Sequence, residues 1–215
     1  MSYSFPEGSS FQFSTTFAGA KTVTAITNAS PAVASAVGHG YVDNDIVLMQ
    51  SGWEDLTDTL VKVDQLTADT FSLLGVNTTD TNFYPAGSGA GTAQLVSNFK
   101  AIPQVLTIAT SGGDPRFTTI QPLAKRNAIN VPTGFNPASI TLTLGYDPTN
   151  STYQEMLDIS RTLSKVAFRM VLSGGIQTLG YGYMSVSEVP ALNNNQANTV
   201  TASFSLLGRA LSYAS

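Results

Sequence analysis

The chain has 215 residues, with 14 acids, 10 bases, one histidine and no cysteine, for a formal net charge of −4. That length suffices for one large or two small cored domains; the missing cysteines exclude disulfides, thiolate metal sites and thiol catalysis, and no stretch approaches the roughly 20 apolar residues of a membrane-spanning helix. Charged residues make up 11% of the chain, against about 25% in an ordinary soluble domain, so its polarity rests on Ser, Thr, Asn and Gln.

Strands with so few charges are poorly protected against edge-to-edge association. Composition leaves two readings open: an extracellular β protein, or a subunit whose surface is destined for copies of itself. The opening MSYSFPEGSS lacks a basic region followed by an apolar run, so no cleaved secretory signal is expected and synthesis in a cytoplasm is the default. A short arm from Ser4 leads into a strand, Phe11–Phe17, with Phe11 and Phe13 on one face.

Between Lys21 and Val96 the charge changes character: eight acids and two bases give −6, leaving +2 for the rest. The asymmetry suggests two units of different origin, and no dense basic patch marks a nucleic-acid groove. Short strands are expected at Val23–Ile26, Ala32–Val37, Ile46–Met49, Leu60–Gln65, Phe71–Leu74 and Thr92–Val96, divided by turn signals such as Gly38-His39-Gly40 and Asp43-Asn44-Asp45. They fit a small β-barrel or sandwich. Gly87–Gly91 reads as a flexible loop, since no Gly-Lys-Ser/Thr follows it and no helix starts there.

The run TAITNASPAVASAVGHGYVDNDIVLMQSGW, followed by LVKVDQLTADTFSLLGVNTTDTNFYPAGSGAG, resembles a small β module of phage tail and structural proteins. It is also similar to the small β half-domain of ubiquitin-activating enzymes. The most specific residues are His39-Gly40, Asp45 and Thr70-Phe71-Ser72-Leu73. The resemblance implies a decoration module without enzyme activity, residues 21–96, inserted in a loop of a domain made of residues 1–20 and 97–215.

After Phe99, Lys100–Thr110 and Arg116–Ala124 are strand-forming runs around the turn cluster Ser111-Gly112-Gly113-Asp114-Pro115 and read as a long hairpin. Lys125–Pro137, with two Pro and a Gly, reads as an exposed loop. Ile140, Leu142 and Leu144 alternate with threonines as a half-buried strand. Asp147–Lys165 is the one convincing helix, with Ser151 and Gln154 as a capping box (Thr152 and Glu155 one residue on) and Tyr153, Met156, Leu157 and Leu163 as its apolar stripe. A strand over Val166–Leu172 turns at Gly174-Gly175 into Ile176–Val186 as a hairpin. Asn193–Asn195 is a loop tip, and Thr199–Leu207 alternates strictly. The fold class expected is mainly β: two packed antiparallel sheets, sandwich- or barrel-like, with one flanking helix and a small inserted all-β domain.

Ser139–Tyr146, the capped helix, FRMVLSGG, GYGYMSVSEV and SFSLLGR, in this order, resemble the tail tube protein of long-tailed, siphovirus-like bacteriophages over about half the chain. The resemblance implies a virion structural subunit, a homo-oligomer closing into hexameric rings that stack into a DNA-conducting tube. Its implied partners are its own copies, the tape-measure protein and DNA in the lumen, and the tail terminator and distal tail proteins, with no membrane insertion.

Reactive chemistry is thinly written. His39 is the sole histidine and falls in a turn, where a solvated side chain is the plain expectation. Asp43-Asn44-Asp45 lacks the Gly and Glu positions of an EF-hand loop. Glu155 and Asp158 are three apart on a helix surface, an ordinary solvated face, and Glu54/Asp55 are the other carboxylate pair weighed for glycoside hydrolysis. No catalytic, metal or cofactor-binding residue is assigned, and no enzyme activity is expected. Lys125 and Arg126 head the long loop and are the candidate subunit-interface residues, the alternative being two solvated cations. Arg169 and Arg209 are expected on strands, paired with acids across a sheet or an interface. Trp53, Tyr84, Tyr181 and Tyr183 are read as exposed aromatics able to stack on sugar rings, which with the Ser/Thr/Asn-rich surface supports the alternative of a carbohydrate-binding adhesin-type module; Tyr181 and Tyr183 alternate along one strand face, where burial at a sheet or subunit contact is the commoner outcome.

Overall fold

The computed structural model describes residues 7–124, 126–192 and 197–214; the start of the arm at Ser4, Lys125 and the Asn193–Asn195 tip lie outside them. The chain opens with β1 (Ser10–Ser14) and β2 (Thr16–Phe17). Next come β3 (Lys21–Val23), β4 (Ala25–Ile26), β5 (Ala32–Ser35), β6 (Ile46–Ser51), β7 (Thr59–Gln65), β8 (Thr70–Leu73) and β9 (Gly91–Ser97), with a 3-10 turn at Glu54–Leu56. β10 (Lys100–Ala101), β11 (Val105–Ser111), β12 (Pro115–Ile120), β13 (Ile129–Phe135) and β14 (Ser139–Gly145) precede α1 (Ser151–Thr162). The chain closes with β15 (Lys165–Val171), β16 (Gln177–Val186), β17 (Thr199–Leu206) and β18 (Leu211–Tyr213).

The first sheet runs β10-β1-β15-β16-β17-β14-β11, antiparallel throughout, with β18 beside the start of β16. Its period-two patterns are those of the sequence: Ile140, Leu142 and Leu144 of β14 stand opposite Phe204, Ala202 and Val200 of β17, and all six are buried on one face. That face is covered by α1, which contributes Tyr153, Met156, Leu157 and Ile159. The helix is shorter than the pattern suggested. Asn150, not Ser151, is its N-cap, with Oδ1 accepting from the N–H groups of Thr152 (2.9 Å) and Tyr153 (3.2 Å). Gln154 donates to the Pro148 carbonyl at 2.8 Å and does not close a capping box. Leu163 adopts a left-handed conformation (φ 51) that ends the helix and leaves its side chain exposed, so Ile159 fills the stripe in its place.

Beneath the helix lies a cluster of three phenylalanines. Phe11 stacks on Phe168 (5.4 Å between centroids), and Phe204 lies 5.0 Å from Phe11 and 5.9 Å from Phe168. Room for it comes from Gly180, where a β-carbon would sit 2.3 Å from Phe168 Cζ.

The Phe11–Phe17 run divides between two sheets. β1 pairs with β15, whereas β2 crosses to pair with β9. The second sheet runs β2-β9-β6-β7-β8-β5-β4, and β3 also pairs with β9. Because β3 and β4 are one stretch of chain interrupted at Thr24, pairing β9 on one side and β5 on the other, the sheet closes on itself as a barrel. Val47, Met49, Trp53, Val61, Val63 and Phe71 fill its interior.

The outer face of β6, β7 and β9 packs on the side of the first sheet away from α1. Ile46, Leu48, Leu60 and Val96 meet Ala167, Leu179, Tyr181 and Tyr213 there. The Tyr213 hydroxyl donates to the Leu74 carbonyl (3.0 Å) and accepts from the Lys62 N–H (3.1 Å), tying β18 to the barrel.

Truncating Phe168 to Ala opens a cavity at the centre of the aromatic cluster and is expected to lower unfolding stability by about 3–5 kcal/mol, read from the urea midpoint. A second expectation concerns pH. Burial pushes both Tyr213 and Tyr41 up to about 12, from an ordinary 10.0. Both are therefore neutral when folded, so the stability they protect is whole below pH 10 and is lost as pH rises towards 12. Urea titrations should show a falling midpoint across that window, with a shallower fall in Tyr213→Phe.

Candidate assembly surface

β11 and β14 are one limb of a long hairpin that continues outward as β12 and β13. The limbs join at Gly112 and Gly113, both left-handed (φ 79 and 78). A β-carbon on Gly112 would stand 2.0 Å from the Pro137 carbonyl oxygen, so only glycine fits the bend. Across it, Gly113 N–H reaches Asn136 O (3.1 Å) and Asn136 N–H reaches Asp114 O (2.9 Å), keeping the two strands together.

Beyond the bend β12 and β13 form a two-stranded sheet of their own, and among the described residues no other strand pairs with them. Every residue of β12 and β13 is exposed. Ile120 stands opposite Ile129 and Thr118 opposite Val131 on one face; Phe117 stands opposite Pro132 and Thr119 opposite Asn130 on the other. Both faces therefore carry apolar groups: Phe117 is 55% exposed, Phe135 73%, and Leu123 near the tip is fully exposed. An isolated two-stranded ribbon is marginal in water, and this one carries aliphatic and aromatic surface that a solvated hairpin has no use for. β11 extends the same surface. Six of its seven residues are exposed, Leu106 and Ile108 among them, and among the described residues no strand pairs with its outer edge.

Two expectations are corrected here. Arg116–Ala124 does not pair back on Lys100–Thr110: β12 pairs with β13, and β11 with β14. Most of the stretch taken as a loop, Lys125–Pro137, is the strand β13. Its Pro132 is tolerated because both edges of a two-stranded ribbon are open. Arg126 lies exposed at the ribbon tip, while Lys125 falls outside the described residues.

The other residues singled out by the sequence have structural duties. His39 is only 2% exposed. Its Nδ1 accepts from the Tyr41 N–H (2.9 Å), so the proton is on Nε2, which donates to Thr67 O (3.0 Å); its ring packs edge-on to Phe71. The solvated histidine expected in that turn is thus a barrel-core residue. Asp43 and Asp45 accept from the backbone of Gln65 and Val42 (both 2.9 Å), shaping the turn. Gly87–Gly91 is a packed loop: a β-carbon on Gly89 would press on the Trp53 ring at 2.9 Å, and Trp53 Nε1 donates to Pro85 O (2.8 Å).

Trp53, Tyr84 and Tyr181 are buried and only Tyr183 is exposed, so the aromatic platform an adhesin would need is not assembled. Glu155 pairs with Lys100 (2.7 Å), and Arg161 bridges Asp158 (3.6 Å) and Glu188 (2.7 Å). Arg169 meets no acid among the described residues: it donates twice to Gln12 Oε1 (2.9 and 2.5 Å) and lies 4.4 Å from the Phe99 ring centre. Arg209 falls in the bend between β17 and β18, with its charge near the Tyr84 hydroxyl. Burial raises the Tyr84 pKa, with Asp55 adding to the rise and Arg209 opposing it.

The sequence missed the ribbon's second strand and the importance of its hinge. The available signals were the alternation Ile129-Asn130-Val131 and the facing pairs Gly112-Gly113 and Asn136-Pro137.

Comparison with known proteins agrees with a surface built for self-association. A family model described as phage tail tube protein matches residues 51–215, which takes in the first sheet from β10 onward, the ribbon and the barrel from the end of β6. No curated protein sequence matches. Among solved structures, the tail tube of phage SPP1, determined by solid-state NMR and cryo EM, aligns with 55% of this chain and 70% of that one, at 14% identity and a TM-score of 0.42. With the family match spanning most of its length, the chain belongs to the phage tail tube proteins and is a structural subunit of the virion tail.

Proposed function

We propose that this subunit closes into rings, six copies each, which stack into the tube that conducts DNA and holds the tape-measure protein. The observation that carries this reading is the ribbon β12–β13, apolar on both faces, exposed along its whole length and, among the described residues, unpaired with any other strand. Laid on a neighbouring copy, it would bury those side chains at roughly 25 cal/mol per Å² of apolar surface. The outer edge of β11 would gain strand partners at the same time, hiding backbone groups that an isolated edge presents. The tip, with Arg126 and Lys125, would bridge to the next subunit or ring, and the tail terminator and distal tail proteins would cap the ends.

In this arrangement residues 1–20 and 97–215 form the tube domain, and residues 21–96 form a barrel inserted into it. The barrel's excess of acids suits an outward position; one such barrel from every copy facing inward would fill the bore. A bore poor in Lys and Arg lets DNA slide, because clustered cations would hold its phosphates. The work is mechanical, calls for no catalytic group, and follows synthesis in the host cytoplasm.

Purified protein is expected to form hollow rods above a threshold concentration, visible by negative-stain microscopy. Replacing residues 113–136 with a two-residue turn should leave the circular dichroism and urea midpoint nearly unchanged while the protein stays dispersed in sedimentation. Rods from the shortened chain would remove the ribbon from the mechanism.

A further inference from the structure

The seam between first sheet and barrel has two ends of opposite electrostatic character. At one end Lys165 Nζ of β15 lies 3.8 Å from Asp58 Oδ1 beside β7, and Asp58 also accepts from Gln50 Nε2 at 2.7 Å. Unlike charges face each other there. Ala167 on β15 and Leu60 on β7 then fill the middle of the seam. At the far end the same two strands present Arg169 and Lys62, both cations.

Arg169 has spent two N–H groups on Gln12 and lies against Phe99. A guanidinium has five such donors, so three remain. Lys62 Nζ lies 5.5 Å from the Tyr213 ring centre. Neither cation forms an ion pair among the described residues. Burial lowers the basicity of both, and the Arg169 charge lowers that of Lys62 further. Two half-buried like charges without a counterion raise the energy of the isolated chain, and an arriving anion would relieve it.

We infer that Lys62 and Arg169 together receive a carboxylate from a second copy of this chain when subunits assemble. This rests on the tube reading above and names one contact of that assembly. A second copy fits because its barrel carries eight acids. Of these, Glu54 and Asp55 are exposed on the 3-10 turn and make no ion pair among the described residues. A carboxylate suits a guanidinium beside an ammonium through short, charge-assisted hydrogen bonds. A DNA phosphate is disfavoured as the anion, since two isolated cations are not the dense basic patch that holds a polyanion.

The test compares wild type, Lys62→Met and Lys62→Arg as full chains. Lys62→Met keeps the aliphatic stem over Tyr213 and removes the repulsion, so the dispersed chain should melt at or above the wild-type temperature. Its threshold concentration for rods should rise at least about tenfold, whereas Lys62→Arg should stay within about twofold of wild type. Wild-type rods with an unchanged threshold in Lys62→Met overturn the contact and leave the tube standing; a wild type that never assembles overturns both. Binding of duplex DNA by the dispersed wild type, lost in Lys62→Met, also overturns it in favour of phosphate. Should Lys62→Met misfold by circular dichroism, Lys62→Gln is scored by the same criteria.

Discussion

The middle of the β15–β16 hairpin, residues 166–168 and 179–182, is buried on both faces, and the rest of the molecule is arranged to cover it. Val166, Phe168 and Met184 look towards α1, while Ala167, Leu179 and Tyr181 look towards the barrel. Glycine at 180 and 182 lets the neighbours approach: a β-carbon at 180 would strike Phe168, and one at 182 would lie 1.9 Å from Ser205 O. A strand pair buried on both sides must be apolar on both sides. That explains why Lys165–Val171 reads as nearly continuous apolar sequence where β14 and β17 alternate.

With helix and barrel occupying the two faces of the sheet, its edges are what remains for contact with other copies. One edge is blunt, since β10 has only two residues. The other is β11, which is long, uncharged and extended by the ribbon. Natural edges are usually blocked by charge, proline or a bulge; here a bulge sits only at the start, between Val105 and Thr107, and the remainder is left open. The low charge of the chain has the same consequence. Association through apolar side chains and backbone pairing depends weakly on salt, as suits a particle that must hold together outside a cell.

The barrel completes the sheet more than it decorates it. It buries the face opposite α1, and Tyr213 fixes it by a hydroxyl that both gives and receives a hydrogen bond. The β2–β9 pairing is a second tie, made by the same strand run that began in the first sheet. Two ties and an apolar seam hold the barrel against the sheet without a loose linker.

Much of this was legible in the chain itself. The alternation in Ile140–Leu144 and Thr199–Leu207, the Gly174-Gly175 hairpin, the barrel strands and the single helix follow from local rules, because side-chain period and turn residues act within a few positions. What stayed hidden was decided at long range. His39, Trp53 and Tyr84 sit in stretches that read as turns, and only closure of the barrel makes them interior. Leu163 keeps the helical period yet lies outside the helix, because β15 must begin at Lys165 and the chain has to turn first. Of the candidate interface pair, sequence marked the exposed place of Arg126 but not the ribbon that carries it, since Pro132 and Gly134 look like loop residues until both edges are seen to be free. Composition and period thus determined the β class and the lone helix, and left self-association as one of two open readings. Which residues share a core, and which strand is left without a neighbour, depends on contacts between segments from about 30 to more than 150 positions apart, and those only the folded chain could fix.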